Sequence, residues 1–187
     1  TGVQTCALPI LELFSVIENV NLSSETAPYL VPNMFVNYNE SSAVVAKARE
    51  LAQGAANQGD VVRNIYQWVV DNITYDHDKA AQLASATGYV PDPDATLAAG
   101  TGICFDYASL GAAMLRSLGI PCQVITGYVS PDDVYHAWNM VYIDGEWVSV
   151  EISIKPNSWT RVDLTFAASG AASTIGDGTS YTDRYTY

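Results

Sequence analysis

The sequence predicts an α+β domain in which N-terminal helices pack on an antiparallel sheet. Three observations carry this. Between residues 43 and 118 apolar side chains recur at helical spacing. From Cys122 onward the period changes to two. Asp144–Gly145 then falls between two alternating runs, which is a hairpin signal.

The elements follow in order. Residues 11–33 are irregular, with Pro28 and Pro32 interrupting any pattern. "NMFVNYNESS" predicts a short strand that ends in a turn. "SAVVAKARELAQG" predicts a helix that Ser42 caps and Gly54 ends. "GDVVRNIYQWVVDN" predicts a second helix, whose Val61, Val62, Ile65, Trp68 and Val69 make one buried stripe. "ITYDHD" leaves it as extended chain, and "DKAAQLASA" predicts a short helix. "TGYVPDPDATLAAGTG", with its prolines and glycines, predicts a loop over 86–101. A further helix is expected from Cys104 to Leu118, with Leu110, Ala113, Met114 and Leu118 inward. Gly119 stops it and Pro121 reinforces the stop. "CQVITGYV", "YHAWNMVYI", "EWVSVEISI" and "WTRVDLTF" predict four strands. Residues 167–180 read as a loop and "SYTDRYTY" as an edge strand.

The chain has 187 residues, enough for one domain with its own core. Its formal charge is −12, from 8 Lys+Arg against 20 Asp+Glu. So acidic a surface repels phosphate backbones, which argues against nucleic acid as a partner. No apolar run is long enough to span a bilayer, so no membrane insertion is expected. Low Lys with many Asn, Ser, Thr and Tyr suggests a bacterial extracellular or cell-envelope protein. The cysteines are Cys6, Cys104 and Cys122, spaced unlike any metal ribbon, and only His77 and His136 could assist them. No metal, cofactor or disulfide framework is expected. "TGVQTCALPI" at 1–10 resembles the translation of a sequencing-library adapter, which would leave Cys6 uninformative. Residues 11–39 read as an N-terminal extension and 40–187 as the domain.

Cys104 stands behind Gly100 and Gly102 at a helix start. There the unpaired backbone N–H groups and the helix dipole favour a thiolate, the nucleophilic form. The same N–H groups can hold an oxyanion. Taken alone, a buried structural cysteine is an equal reading. His136 lies on a predicted strand downstream, and alone reads as a half-buried histidine. Together, a cysteine at a helix N-terminus and a histidine on a sheet match papain-type acyl transfer.

"GTGICFDYASLGAAMLRSLGIPCQVITGY", "YHAWNMVYIDGEW" and "WTRVDLTF", in that order, resemble a bacterial transglutaminase-like domain over roughly residues 40–187. The resemblance implies a papain-like α+β fold and a Cys-His-Asp triad that works through a thioester or related acyl-enzyme. It makes Cys104 the nucleophile and His136 the general base and acid. The third member is open, because a Trp-x-x-x-acid pattern occurs twice. Trp147 leads to Glu151, which a two-residue turn at Asp144–Gly145 would set opposite Trp138, on the face of His136. Trp159 leads to Asp163, which has the family's acid followed by Thr165 and Phe166. Asp163 is taken here. The resemblance also offers the Tyr75 hydroxyl as an oxyanion donor, against a packing role. Trp138 and Asn139 are expected to shield and support the histidine. Asp106 and Tyr107 are expected behind the site or at the surface, and Cys122 as a small buried hydrophobe.

The expected function is acyl transfer on protein or peptide amides by a monomer. Hydrolysis is favoured over cross-linking, since water is the default acceptor at a thioester. The alternative is a non-catalytic module of the same fold that binds envelope polymers or proteins.

Overall fold

The computed structural model describes residues 21–22, 24–84, 86–129, 134–143, 146–149 and 181–187. Five α-helices, a short 3-10 helix at Ala27–Leu30 and a four-stranded antiparallel sheet make up the described architecture, with a two-stranded parallel ladder beside them.

Helix α1 spans Ala43–Leu51 and α2 spans Gln58–Asn72. Ser42 occupies the N-cap position of α1, but its hydroxyl accepts from the Asn39 N–H behind it (3.2 Å). The open Val44 N–H is taken instead by Asp94, 2.9 Å away and fifty residues later. The cap of α1 is thus a tertiary contact. Gly54 follows the helix at φ +79°, where glycine is unstrained. In α2 the buried stripe is Val62, Ile65, Tyr66 and Val69. Val61 and Trp68 are only half-buried, and Tyr66 takes a place in the stripe that its period allows.

Two expectations fail locally. Residues 34–41 form no strand, only an isolated bridge between Asn33 and Val36. The Asn33 side chain accepts from the N–H groups of Phe35 and Val36, which closes a turn. Val36 is nevertheless fully buried in the core. The expected loop 86–101 contains a helix, α4, at Pro93–Ala99. Asp92 caps it by accepting from Ala95 N–H, and Pro93 sits in its first turn. The Asp-Pro pair that reads as loop punctuation is here a helix start.

Between these lie β1 (Thr74–Tyr75), α3 (His77–Leu83) and β2 (Thr101–Gly102). β1 and β2 pair in parallel, Thr74 with Thr101 and Tyr75 with Gly102. Helix α5, Cys104–Ser117, is the axis of the domain. Every residue from Asp106 to Arg116 is buried, so its apolar surface is continuous rather than a stripe. Leu118 caps its end and is half-buried.

The sheet has the order β5-β4-β3-β6, with β3 at Cys122–Val129, β4 at Val134–Ile143, β5 at Glu146–Ser149 and β6 at Tyr181–Thr186. Ile143 pairs with Glu146, the register that a two-residue hairpin connection requires. β6 is the expected edge strand, paired with β3. The expected strand around 159–166, the loop 167–180 and the end of the third run lie outside the described residues. α5 packs on β3 and β4. Arg116, 2% exposed, locks this layer by donating to the carbonyls of Cys122 (2.8 Å), Val31 (2.9 Å) and Tyr187 (2.8 Å). Burial lowers its pKa, and the three carbonyls satisfy its donors.

Candidate active site

The site begins where β2 turns into α5. Ile103 is the N-cap and Cys104 the first helical residue. Ile103 has no side-chain acceptor, so it cannot cap the helix as Ser or Asp would. Asp106 supplies the other half of a capping box: its carboxylate reaches back and accepts the Ile103 N–H at 2.9 Å. The first intrahelical bond runs from Tyr107 N–H to the Ile103 carbonyl at 3.1 Å. The N–H groups of Cys104, Phe105 and Asp106 therefore precede the helical ladder and point out of its end. Cys104 itself is half-buried and not in a disulfide.

Gly102 is part of this construction. An added Cβ would stand 2.7 Å from the Cβ of Asp106. Only glycine lets β2 pass this close to the capping carboxylate.

Asp106 is completely buried. Besides the Ile103 N–H it accepts from the Lys79 ammonium at 2.6 Å and from the Tyr89 hydroxyl. Burial lowers the Lys79 pKa, but the hydrogen bonds to Asp106 and Tyr89 outweigh it and the net shift is upward. Tyr89 is pushed up to about 12, by burial and then by its bond to Asp106. Three segments thus meet on one carboxylate: the β2–α5 junction, α3 and the stretch before α4. Asp106 was expected behind the site or at the surface; it is the anchor of the helix start.

Tyr75 stands beside this junction. β1 sets it opposite Gly102, and its ring meets His77 edge-on, with centroids 5.0 Å apart. Tyr107, next along α5, is core rather than surface: its hydroxyl donates to the Ile73 carbonyl at 2.6 Å. Burial, and then its nearness to Tyr75, pushes the Tyr107 phenol up to about 12.

His136 lies on β4, 5% exposed and opposite Gly127 of β3. Trp138 stacks beside it, with centroids 6.4 Å apart and planes at 25°. The Trp138 indole also covers Gly127, where an added Cβ would be 2.9 Å away. This fits the shielding role expected of Trp138. Asn139 does something different. Its Nδ2 donates to the Ala108 carbonyl of α5 and to the Gln123 carbonyl of β3, both at 3.0 Å. It joins the sheet to the helix that carries Cys104. Strand alternation gives Ala137 and Asn139 to the α5 side of β4, and His136 and Trp138 to the other.

Cys122 is fully buried, as expected, and burial pushes its thiol up to about 12. Asp163 and Glu151, the alternatives for the third acid, lie outside the described residues, as does Cys6. Among the described residues no group of three or more His, Cys, Asp or Glu is placed to hold a metal ion. The sequence reading missed the Lys79–Asp106–Tyr89 cluster and the bridging role of Asn139. An acid at the third position of a helix whose N-cap is apolar was the available signal for Asp106.

A half-buried cysteine that opens a central helix, laid on an antiparallel sheet that carries a histidine, defines the papain-like α+β class. A solved structure of this class, a candidate cysteine protease from Cytophaga hutchinsonii, superposes with a TM-score of 0.56. It is 20% identical and covers 89% of this chain and 55% of its own. Residues 45–163 match the Transglutaminase-like superfamily, and the chain belongs to it.

Its relatives are diverse. It is 29% identical over 169 residues to cytokinesis protein 3 of Schizosaccharomyces pombe, covering 74% of this chain and 18% of that one. It is 31% identical over 112 residues to the mouse kyphoscoliosis peptidase, covering 54% and 16%. It is 25% identical over 137 residues to a UPF0252 protein of Archaeoglobus fulgidus, covering 66% and 43%. The chain thus spans less than half the length of each.

Proposed function

We propose that the protein is a cysteine-dependent acyl-transfer enzyme that cleaves protein or peptide amides, with Cys104 as nucleophile, His136 as base and acid, and Asp163 orienting the imidazole. The observation that carries this is Cys104 at the first position of α5, with N–H groups ahead of the helical ladder around it. The Cys104 thiolate attacks the amide carbonyl carbon, and those N–H groups hold the oxyanion. The C–N bond breaks, the amine leaves with a proton from His136, and a thioester remains. Water, losing a proton to His136, then attacks the thioester and releases the acid and the thiol. Tyr75, opposite Gly102, is the further oxyanion donor. Hydrolysis is favoured over amine transfer because diverting a thioester from water needs a shield that desolvates a lysine. The name of the kyphoscoliosis peptidase points the same way. The low Lys content with many Asn, Ser, Thr and Tyr supports a place outside the cell or in the envelope of a bacterium.

His136 leaves β4 on the side away from Asn139, so its coupling to Cys104 is the step to test. The protein is incubated with casein and a fluorescent primary amine, and new peptide termini and amine incorporation are followed together. New termini should outnumber incorporated amine, and Cys104→Ala and His136→Asn should abolish both. Asp163→Asn should lower turnover by orders of magnitude and Glu151→Gln only mildly. The reverse ranking would make Glu151 the third member. Amine incorporation ahead of cleavage would make the protein a transglutaminase. No product of either kind, with Cys104 unreactive to iodoacetamide, would favour the non-catalytic binding module.

A further inference from the structure

The Lys79–Asp106–Tyr89 cluster meets the capping need of α5 with a buried charge rather than an exposed polar group. An exposed Ser or Asp at the N-cap would hold the Ile103–Cys104 turn with no buried charge. Here the capping carboxylate is 0% exposed and lies within the first turn of the helix that Cys104 opens. Its negative charge stabilises the helix dipole but opposes the formation of a second negative charge on Cys104. Lys79 meets that charge directly, at 2.6 Å, from a separate helix. The Lys79 side chain remains 32% exposed, so solvent reaches the ammonium while the carboxylate stays dry.

The arrangement also sorts the N–H groups at the helix end. Asp106 takes the Ile103 N–H, which precedes the nucleophile, and leaves the Cys104 N–H ahead of the ladder. Tyr89 fixes the second carboxylate oxygen, so the carboxylate cannot rotate away from Ile103.

We propose that Lys79 is a positioning residue for the nucleophile: by neutralising buried Asp106 it allows one carboxylate to fix the start of α5 without suppressing the Cys104 thiolate. This rests on reading Cys104 as the nucleophile, and it makes Lys79 act through Asp106, not on substrate.

The test uses the rate at which iodoacetamide labels Cys104 near neutral pH, read by mass spectrometry of the Cys104 peptide in the full chain. No substrate is needed. Lys79→Met and Lys79→Gln both remove the charge, and glutamine keeps a donor. Each should slow labelling about tenfold, because the unneutralised Asp106 carboxylate disfavours a second negative charge on Cys104. Lys79→Arg, which restores the charge, should recover the rate to within about twofold. Unchanged rates in both neutral variants would overturn the proposal while leaving Cys104 as nucleophile. An arginine variant as slow as methionine would also overturn it, because shape rather than charge would then matter. Wild-type Cys104 reacting no faster than an unstructured cysteine peptide would overturn the nucleophile reading and the role of Lys79 with it.

Discussion

Gly102→Ala isolates the steric demand at the helix start. The new Cβ would lie 2.7 Å from Asp106 Cβ, 3.2 Å from its Oδ2 and 3.3 Å from its Cγ. The nearest atom is next to the backbone, and the carboxylate beyond it is pinned by Ile103, Lys79 and Tyr89. Two responses are available. The clash is kept, at about 1–3 kcal/mol for overpacking. Or Asp106 moves and gives up charge-assisted hydrogen bonds worth about 1.5–3 kcal/mol each. They are alternatives, so the cheaper sets the cost at about 1–3 kcal/mol, or roughly 2–12 °C in Tm for a domain of this size. Gly119→Ala is the control. At φ +76° it pays the left-handed penalty of about 1–2 kcal/mol, but its Cβ would meet nothing within 4 Å. Thermal and urea unfolding of both variants give the comparison, and iodoacetamide labelling of Cys104 should slow only in Gly102→Ala. If Gly102→Ala costs less than Gly119→Ala, Asp106 is not held as described and its bracing role fails.

Two further outcomes follow from the packing of α5. The Cys122 thiol is shifted from 9.0 to about 12, so its neutral form is favoured in the fold. Its contribution is complete below about pH 9, declines as the unfolded thiol ionises and is gone above about pH 12. By about pH 10.5 it should have lost on the order of 2 kcal/mol. Urea unfolding under reducing conditions should show wild type losing that much more than Cys122→Ala between pH 8 and 10.5, with equal losses refuting it. Asn139→Ala removes the amide that joins Ala108 to Gln123 and should cost about 1–3 kcal/mol in the same assay. Asn139→Asp should cost more, because it turns an acceptor on two carbonyls; parity with wild type would mean the bridge contributes nothing.

The sequence made the helices and strands legible where local signals and burial agree. Leu110, Ala113 and Met114 are buried at helical spacing, and β3, β4 and β6 form where the period-two runs fall, although β3 is buried on both faces over most of its length. It misled where one dipeptide or one residue had two uses. Asp92–Pro93 serves a loop or a helix start equally well, and only the packing of α4 against α5 and α1 decides. Ser42 looks like a cap, but Asp94 already fills that need from across the fold. Asn33 turns a strand-like run back on itself because its side chain satisfies two N–H groups locally.

The same division runs through the site. Cys104 announces itself by residue type and by the glycines before it. What holds it does not, because the bonds between Lys79 and Asp106 and between Tyr89 and Asp106 span 27 and 17 residues. No periodicity reports a pair at such separations. A helix whose N-cap is isoleucine must satisfy its first N–H groups from elsewhere, and the acid at the third position is the nearest acceptor. Once that acid is drawn under β2 it loses water, and a buried carboxylate needs a cation. Lys79 is therefore a consequence of Ile103: an apolar cap, required where the helix start is packed rather than solvated, forces a charge inward and a second charge to meet it. The nucleophile's surroundings follow from how its helix begins.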